Sequence, residues 1–296
     1  MKYSYRADIA LILVTFFWGI GFPAVKFSLE SMGPLYLIAF RFLIAGILLS
    51  IIFYKKMLSI DKSILKPASR LSVLIYITYV FAMVGIKYTT ASKSAFLCCL
   101  AVIFVPIIGY ILNRTRIRTN TAAGIVICIT GLFLMTYTAE GFNLNLGDVL
   151  CIIGSAAFAF QIIFTEKYVS NFDTTLLTIL QMYFAAFIGF IAAFIFEPFP
   201  VSITPKSLYS LLFMAVLCTA LSFWVQTTCQ KFTTSSHVAI IFTMEPLFGA
   251  LASWLLLGER LGVRGIIGGV LIISSMIISE IELPLSKKKE EVPTSL

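Results

Sequence analysis

Lys87-Tyr88-Thr89-Thr90-Ala91-Ser92 returns as Lys231-Phe232-Thr233-Thr234-Ser235-Ser236, 144 positions further along the chain. Around it, other marks recur at a nearly constant shift. Asp8 and Asp148, Lys26 and Glu166, Arg41 and Gln181, Pro106 and Pro246, and Gly109 and Gly249 are each 140 positions apart, and Gly124 recurs as Gly268 at 144. One unit is therefore written twice, over roughly residues 7–137 and 147–281.

The composition says what that unit is made of. The chain is 59% apolar and only 12% charged, with a mean hydropathy of +0.99; soluble domains run at about 45–50% apolar and about 25% charged. Ten apolar runs stand at 8–28, 35–54, 70–89, 93–112, 119–137, 147–166, 175–196, 207–229, 237–257 and 262–281. Each holds about 20 residues, enough at about 1.5 Å per residue to cross a hydrocarbon core of about 30 Å. Five runs per copy is an odd number, so the second copy starts on the opposite face. Inverted repeats of this kind are the plan of secondary transporters. The sequence thus predicts an all-α membrane protein, with ten transmembrane helices as two inverted five-helix repeats. Residues 1–138 form the first repeat, 139–146 an extracytoplasmic linker, 147–282 the second repeat and 283–296 a disordered cytoplasmic tail.

Charge sets the orientation. With the N-terminus inside, the inward segments carry fifteen Lys and Arg residues and the outward ones five, the densest being the link with Lys55, Lys56, Lys62, Lys66 and Arg70. The positive-inside rule then puts both termini in the cytoplasm of a multi-pass cell-membrane protein. The net charge of +8 suits a rim facing anionic membrane lipid and calls for no nucleic-acid partner. All six cysteines lie in apolar runs without metal-type spacing, so they read as packing residues, and neither a metal nor a cofactor is expected. No phosphate-binding Gly-x-x-x-x-Gly-Lys-Ser/Thr loop is present. With one histidine and no second acid at the depth of Glu245, no catalytic set is assembled and an enzyme is not expected.

Several local patterns carry a family resemblance. They are Trp18-Gly19 followed by Phe22-Pro23 and Lys26; Phe40-Arg41-Phe42; Tyr88 to Ser92 with Val105-Pro106; and Met244-Glu245-Pro246 leading to Leu257-Gly258-Glu259-Arg260. Together they resemble the EamA family of the drug/metabolite transporter superfamily, over essentially residues 7–281. The resemblance implies a metabolite carrier with a central cavity between two five-helix repeats. The first copy departs from the pattern in ending its fourth span with Leu112-Asn113-Arg114-Thr115-Arg116.

Glu245 is the most informative single position. It lies about eight residues into the ninth run, roughly 12 Å deep, where a carboxylate must face water or the bundle interior. Pro246 beside it cannot donate to the Phe242 carbonyl, which should leave that acceptor free. The first copy carries Val105 at this place. In the first run, Trp18, Phe22 and Lys26 share one helix face around Pro23, and the sixth run answers with Phe158, Gln161, Ile162 and Glu166. Lys26 reads as snorkelling to the outer interface, and Arg41 as binding backbone carbonyls or a helix end. Aromatic walls with a few polar groups make a small-molecule cavity. The expected substrate-binding residues are Trp18, Phe22, Tyr79, Gln161, Trp224 and Glu245; those expected to couple or gate are Glu245, Pro23, Pro106, Pro246, Arg41 and His237. Gly124, Gly131, Gly268 and Gly269 are expected at close helix contacts.

The reading is a secondary transporter, an exporter of amino acids or related amphiphilic metabolites working by alternating access as monomer or homodimer, amino acids and export resting on the family resemblance. A lipid scramblase with a sideways-open groove is the alternative.

Overall fold

The computed structural model describes residues 5–113, 119–138, 141–142 and 144–280. The basic residues Arg114, Arg116 and Arg118, residues 139, 140 and 143 of the expected linker, and the tail from 283 lie outside the described residues.

Apart from one two-residue ribbon, in which β1 (Tyr137–Thr138) pairs antiparallel with β2 (Gly141–Phe142), the described architecture is helical. In chain order come α1 (Tyr5–Ser28), α2 (Pro34–Ile52), the single turn α3 (Tyr54–Met57), α4 (Leu65–Gly85), α5 (Ala91–Cys98), α6 (Ala101–Asn113) and α7 (Thr119–Thr136). The second half has α8 (Leu146–Val169), α9 (Thr174–Phe196), α10 (Pro205–Phe213), α11 (Ser222–Cys229), α12 (Ser235–Ile241), α13 (Glu245–Leu257) and α14 (Val263–Glu280). Eight helical stretches are long and apolar enough to cross a membrane. In α7 and α14 the apolar stretches are shorter, Ala122–Gly131 and Val263–Ser275. Apolar side chains such as Phe187, Phe194, Leu255 and Val270 are exposed, as lipid-facing helix surfaces require.

Helix starts are written in the sequence. Thr90 caps α5 through the Lys93 amide at 3.1 Å, Thr204 caps α10 at Ser207, and Asp173 takes the Thr175 and Leu176 amides at 2.9 and 3.0 Å. At α8, Asn145 and Asp148 form a reciprocal capping box. Gly258, at φ 69°, closes α13 in the left-handed conformation that glycine adopts without penalty.

Three of the expected continuous spans are interrupted. The run 93–112 breaks at Cys99–Leu100, between α5 and α6, and 237–257 tightens into a 3₁₀ turn over Phe242–Met244, between α12 and α13. The run 207–229 widens into a π-helix over Met214–Leu221. Thr219 and Ser222 stabilise that wide turn, each donating its hydroxyl to a carbonyl five residues back, at 2.8 and 2.6 Å.

The halves interleave. α1 packs on α13, α10 and α11; α2 on α9; α4 on α8 and α9; and α7 on α14. At the last seam a Cβ on Gly131 would stand 2.7 Å from the Gly268 carbonyl oxygen, the close approach expected of these glycines. The ends of the helices gather on two faces. The face where α1 begins, here the N-terminal face, holds Asp8 with His237, Lys56 with Asp173, and Arg70 with Tyr168. The opposite face holds Lys26 with Glu259, Lys93 with Asp148, and Lys206 with Glu30.

Candidate functional site

A cavity of about 100 Å³ lies between α1, α2, α4, α5, α8, α11 and the first residue of α13. It runs from the aromatic layer of Trp18, Phe158 and Phe223 toward the opposite face, where Val25 and Ile86 line it near the ends of α1 and α4.

Trp18 forms the floor. Its ring meets those of Phe242, Phe223 and Phe158 at centroid distances of 4.8, 5.5 and 5.7 Å, and its indole N–H donates to the Cys218 carbonyl at 2.8 Å. Cys218 lies in the π-helical turn, and its carbonyl is shared by Trp18 and Arg41.

Arg41, only 4% exposed, faces the same cavity. It donates to the Thr219 hydroxyl, to the Cys218 carbonyl at 3.4 Å and to the Tyr79 hydroxyl at 3.3 Å. Its guanidinium carbon also lies 4.6 Å from the Tyr79 ring centroid. The backbone-carbonyl role expected of Arg41 is present. Its side chain, however, turns into the bundle and not to the interface. No ion pair among the described residues includes it.

Glu245 is 9% exposed and also lines the cavity. No described side chain or amide hydrogen-bonds to its carboxyl group. The Phe242 carbonyl before Pro246 is not free, contrary to the sequence-based expectation. It accepts the Glu245 amide in the 3₁₀ turn and the Cys99 thiol at 3.2 Å. The proline's missing donor is thus made good by a tighter turn and a neighbouring helix.

The structure therefore brings together Trp18, Phe22, Tyr79, Glu245 and Arg41. Gln161 and Trp224 stand apart from this cavity. Gln161 is fully buried, bonded to Thr165 at 3.1 Å and to Gln226 at 3.3 Å. Trp224 lies toward the N-terminal face, tilted against Phe53 at 5.3 Å and donating to Thr175 at 3.3 Å. Pro23 and Pro106 sit inside α1 and α6, and Pro246 in the first turn of α13. His237 bonds Asp8 at 3.0 Å. Lys26, in the last turn of α1, reaches the opposite face and pairs there with Glu259 at 3.1 Å. Phe223 and the π turn behind Arg41 escaped sequence reasoning. The 144-residue shift that places Phe223 opposite Tyr79 was the available signal for the first, and nothing marks the second beyond its Thr and Ser.

Glu259 ties the opposite face together. It accepts the amides of Ala91 and Ser92, both at 3.0 Å, the Ser92 hydroxyl and the Lys26 ammonium. Burial acts to raise its pKa, but these bonds outweigh it and hold the carboxyl below its usual range. On the N-terminal face Glu166 does the same for α12, taking the Ser235 amide at 3.0 Å and its hydroxyl. Among the described residues no three His, Cys, Asp or Glu side chains converge as a metal site would require.

The profile of the EamA-like transporter family matches residues 5–137 and again 145–280. An uncharacterized transporter of Archaeoglobus fulgidus is 29% identical over 92% of this chain and 85% of its own. A probable amino-acid metabolite efflux pump of Escherichia coli is 24% identical over 93% and 95%. An S-adenosylmethionine/S-adenosylhomocysteine transporter of Chlamydia muridarum is 20% identical over 86% and 85%. One solved crystal structure shares the fold at a TM-score of 0.70 and 14% identity, covering 93% of this chain and 96% of that one.

Proposed function

Because the chain belongs to the EamA-like transporter family, within the drug/metabolite transporter superfamily, we propose that it exports a zwitterionic, amphiphilic metabolite, amino acids first, by alternating access through the cavity around Trp18. That it is a multi-pass membrane transporter of small metabolites follows from the family and from its relatives. The finer reading rests on one observation. Arg41 and Glu245, of opposite charge and without an ionic partner among the described residues, face one aromatic-walled cavity. A carboxylate bound to Arg41 and an ammonium to Glu245 would satisfy both, while Phe22, Phe158 and Tyr79 cover an apolar side chain.

In this reading α5 with α6, α10 with α11, and α12 with α13 are three broken spans, and α7 and α14 complete a set of ten. Residues 1–138 and 147–282 are the two inverted repeats, both termini lie in the cytoplasm of the cell membrane, and the cavity opens outward. Breaks near mid-membrane suit this scheme, since discontinuous helices place polar backbone at substrate sites. The relative named as an amino-acid metabolite efflux pump supports both the substrate class and the direction.

Counterflow tests it. Liposomes holding the purified protein and preloaded with unlabelled amino acids should accumulate a subset of labelled ones, saturably. Equal, unsaturable uptake of all of them, as in protein-free liposomes, would sink the substrate assignment.

A further inference from the structure

The walls of the cavity have counterparts in the other half of the chain. Gly21 and Val25 of α1 correspond, at a shift of 140, to Gln161 and Thr165 of α8. Ala82, Met83 and Ile86 of the α4 segment correspond, at 144, to Gln226, Thr227 and Gln230 of the α11 segment. Arg41 corresponds to Gln181. Every first-half member of this set lines the cavity, and every second-half member is buried. The chemistry is exchanged as well: apolar residues and one cation on one side, glutamines and threonines on the other.

The buried set is only partly satisfied. Gln226 donates to Gln161 and Gln230 at 3.3 Å each, and Gln230 donates to the Ile162 carbonyl at 3.1 Å. Both polar atoms of the Gln181 side chain, Oε1 of Gln226 and the Thr227 hydroxyl have no partner. These are four of the seven unpartnered buried side-chain atoms among the described residues. Buried amides are normally paired. Unpaired buried groups at the positions that the repeat matches to the cavity wall are polar capacity that the packed bundle does not use.

Given the alternating-access reading above, on which this step rests, we infer that Gln161, Gln181, Gln226, Thr227 and Gln230 line a second vestibule. It opens to the N-terminal face when the cavity around Arg41 closes, and it holds the substrate's polar groups by neutral hydrogen bonds. Trp224 is its lid, reaching from α11 to Phe53 at the end of α2 and Thr175 at the start of α9. The pathway is therefore asymmetric in charge. The substrate is gripped by Arg41 from one side and released among uncharged amides on the other.

Single-cysteine additions to the otherwise unaltered chain test this, labelled by a membrane-impermeant maleimide from either face of sealed vesicles. The native cysteines set the background, and Lys56→Cys and Lys206→Cys mark the two faces. Gln226→Cys, and the near-isosteric Thr227→Cys should the first variant fold poorly, should react at least tenfold above background from the Lys56 side. Ile86→Cys should react from the Lys206 side. Adding Trp224→Ala should speed labelling at 226 severalfold. Background labelling at both 226 and 227 from the Lys56 side, while the markers and Ile86→Cys react, would overturn the vestibule. Counterflow on the same vesicles separates the two readings: transport without this labelling removes the vestibule alone, and the labelling pattern without transport of any solute removes the transport reading alone.

Discussion

Arg41 and Glu245 are held in very different ways. The guanidinium has a hydroxyl, a carbonyl, a phenol and an aromatic face around it, and charge-assisted hydrogen bonds of this kind contribute about 1.5–3 kcal/mol each. The Glu245 carboxyl has no such shell, and an acidic residue at the centre of a membrane helix costs about 2.5–3.5 kcal/mol on insertion scales. In the proposed transport cycle its charge is then met by what enters the cavity, a proton or a substrate ammonium. If protons are the coupling ion, Glu245→Gln should show counterflow that is weakened by loss of the ammonium's counter-charge but still measurable, and should lose all acceleration by an imposed pH gradient. Transport by that variant still driven by the gradient would show that the proton binds elsewhere. The depth of Glu245 was legible from the sequence, because one acid in a long apolar run is conspicuous. That Arg41 shares its cavity was not, since a position on α2 does not say where a long side chain ends; here it reaches Cys218 and Thr219 of the π-helical turn.

Among the helical elements, the ends were easier to read than the interiors. Caps such as Thr90, Asn145 and Asp173 are local chemistry and announce themselves. The breaks at Cys99–Leu100 and Phe242–Met244, which touch through the Cys99 thiol and the Phe242 carbonyl, and the π turn all lie inside apolar runs, and hydropathy averaged over about 20 residues is blind to them. Glu259 belongs to the same class of tertiary cap, reaching from beyond α13 to the N-terminus of α5. Its folded-state pKa is depressed, so the stabilisation it supplies is complete above the usual carboxylate range and is lost as pH falls through the lowered value. Melting temperatures of the detergent-solubilised protein should therefore drop in acid, below about pH 4. Glu259→Gln should be less stable at neutral pH by about 1–2 kcal/mol and should show a smaller acid drop. An identical pH profile in the variant would mean the cap contributes nothing.

Over the whole molecule, the two copies are not two bodies in contact at a surface. Apart from short links, each long helix of the first half finds its main neighbours in the second, so the repeat visible in the sequence does not mark out separately packed bundles. Stability must then depend on the seams, where backbones rather than side chains meet. At the seam of α4 with α8, a Cβ on Gly147 would stand 2.4 Å from the Gly85 carbonyl oxygen, and backbone atoms cannot step aside as a flexible side chain can. A Cβ on Gly262, at the other end of the second half, would meet nothing within 4 Å. The same substitution at the two sites separates seam packing from the general effect of replacing glycine. Gly147→Ala should force α4 and α8 apart at a cost of roughly 1–3 kcal/mol, lowering the melting temperature and the yield of monodisperse protein. Gly262→Ala should leave both unchanged or slightly improved, as expected when only the freedom of the unfolded chain is reduced. Equal behaviour of the two variants would mean that this seam is not under strain and that the halves are held elsewhere.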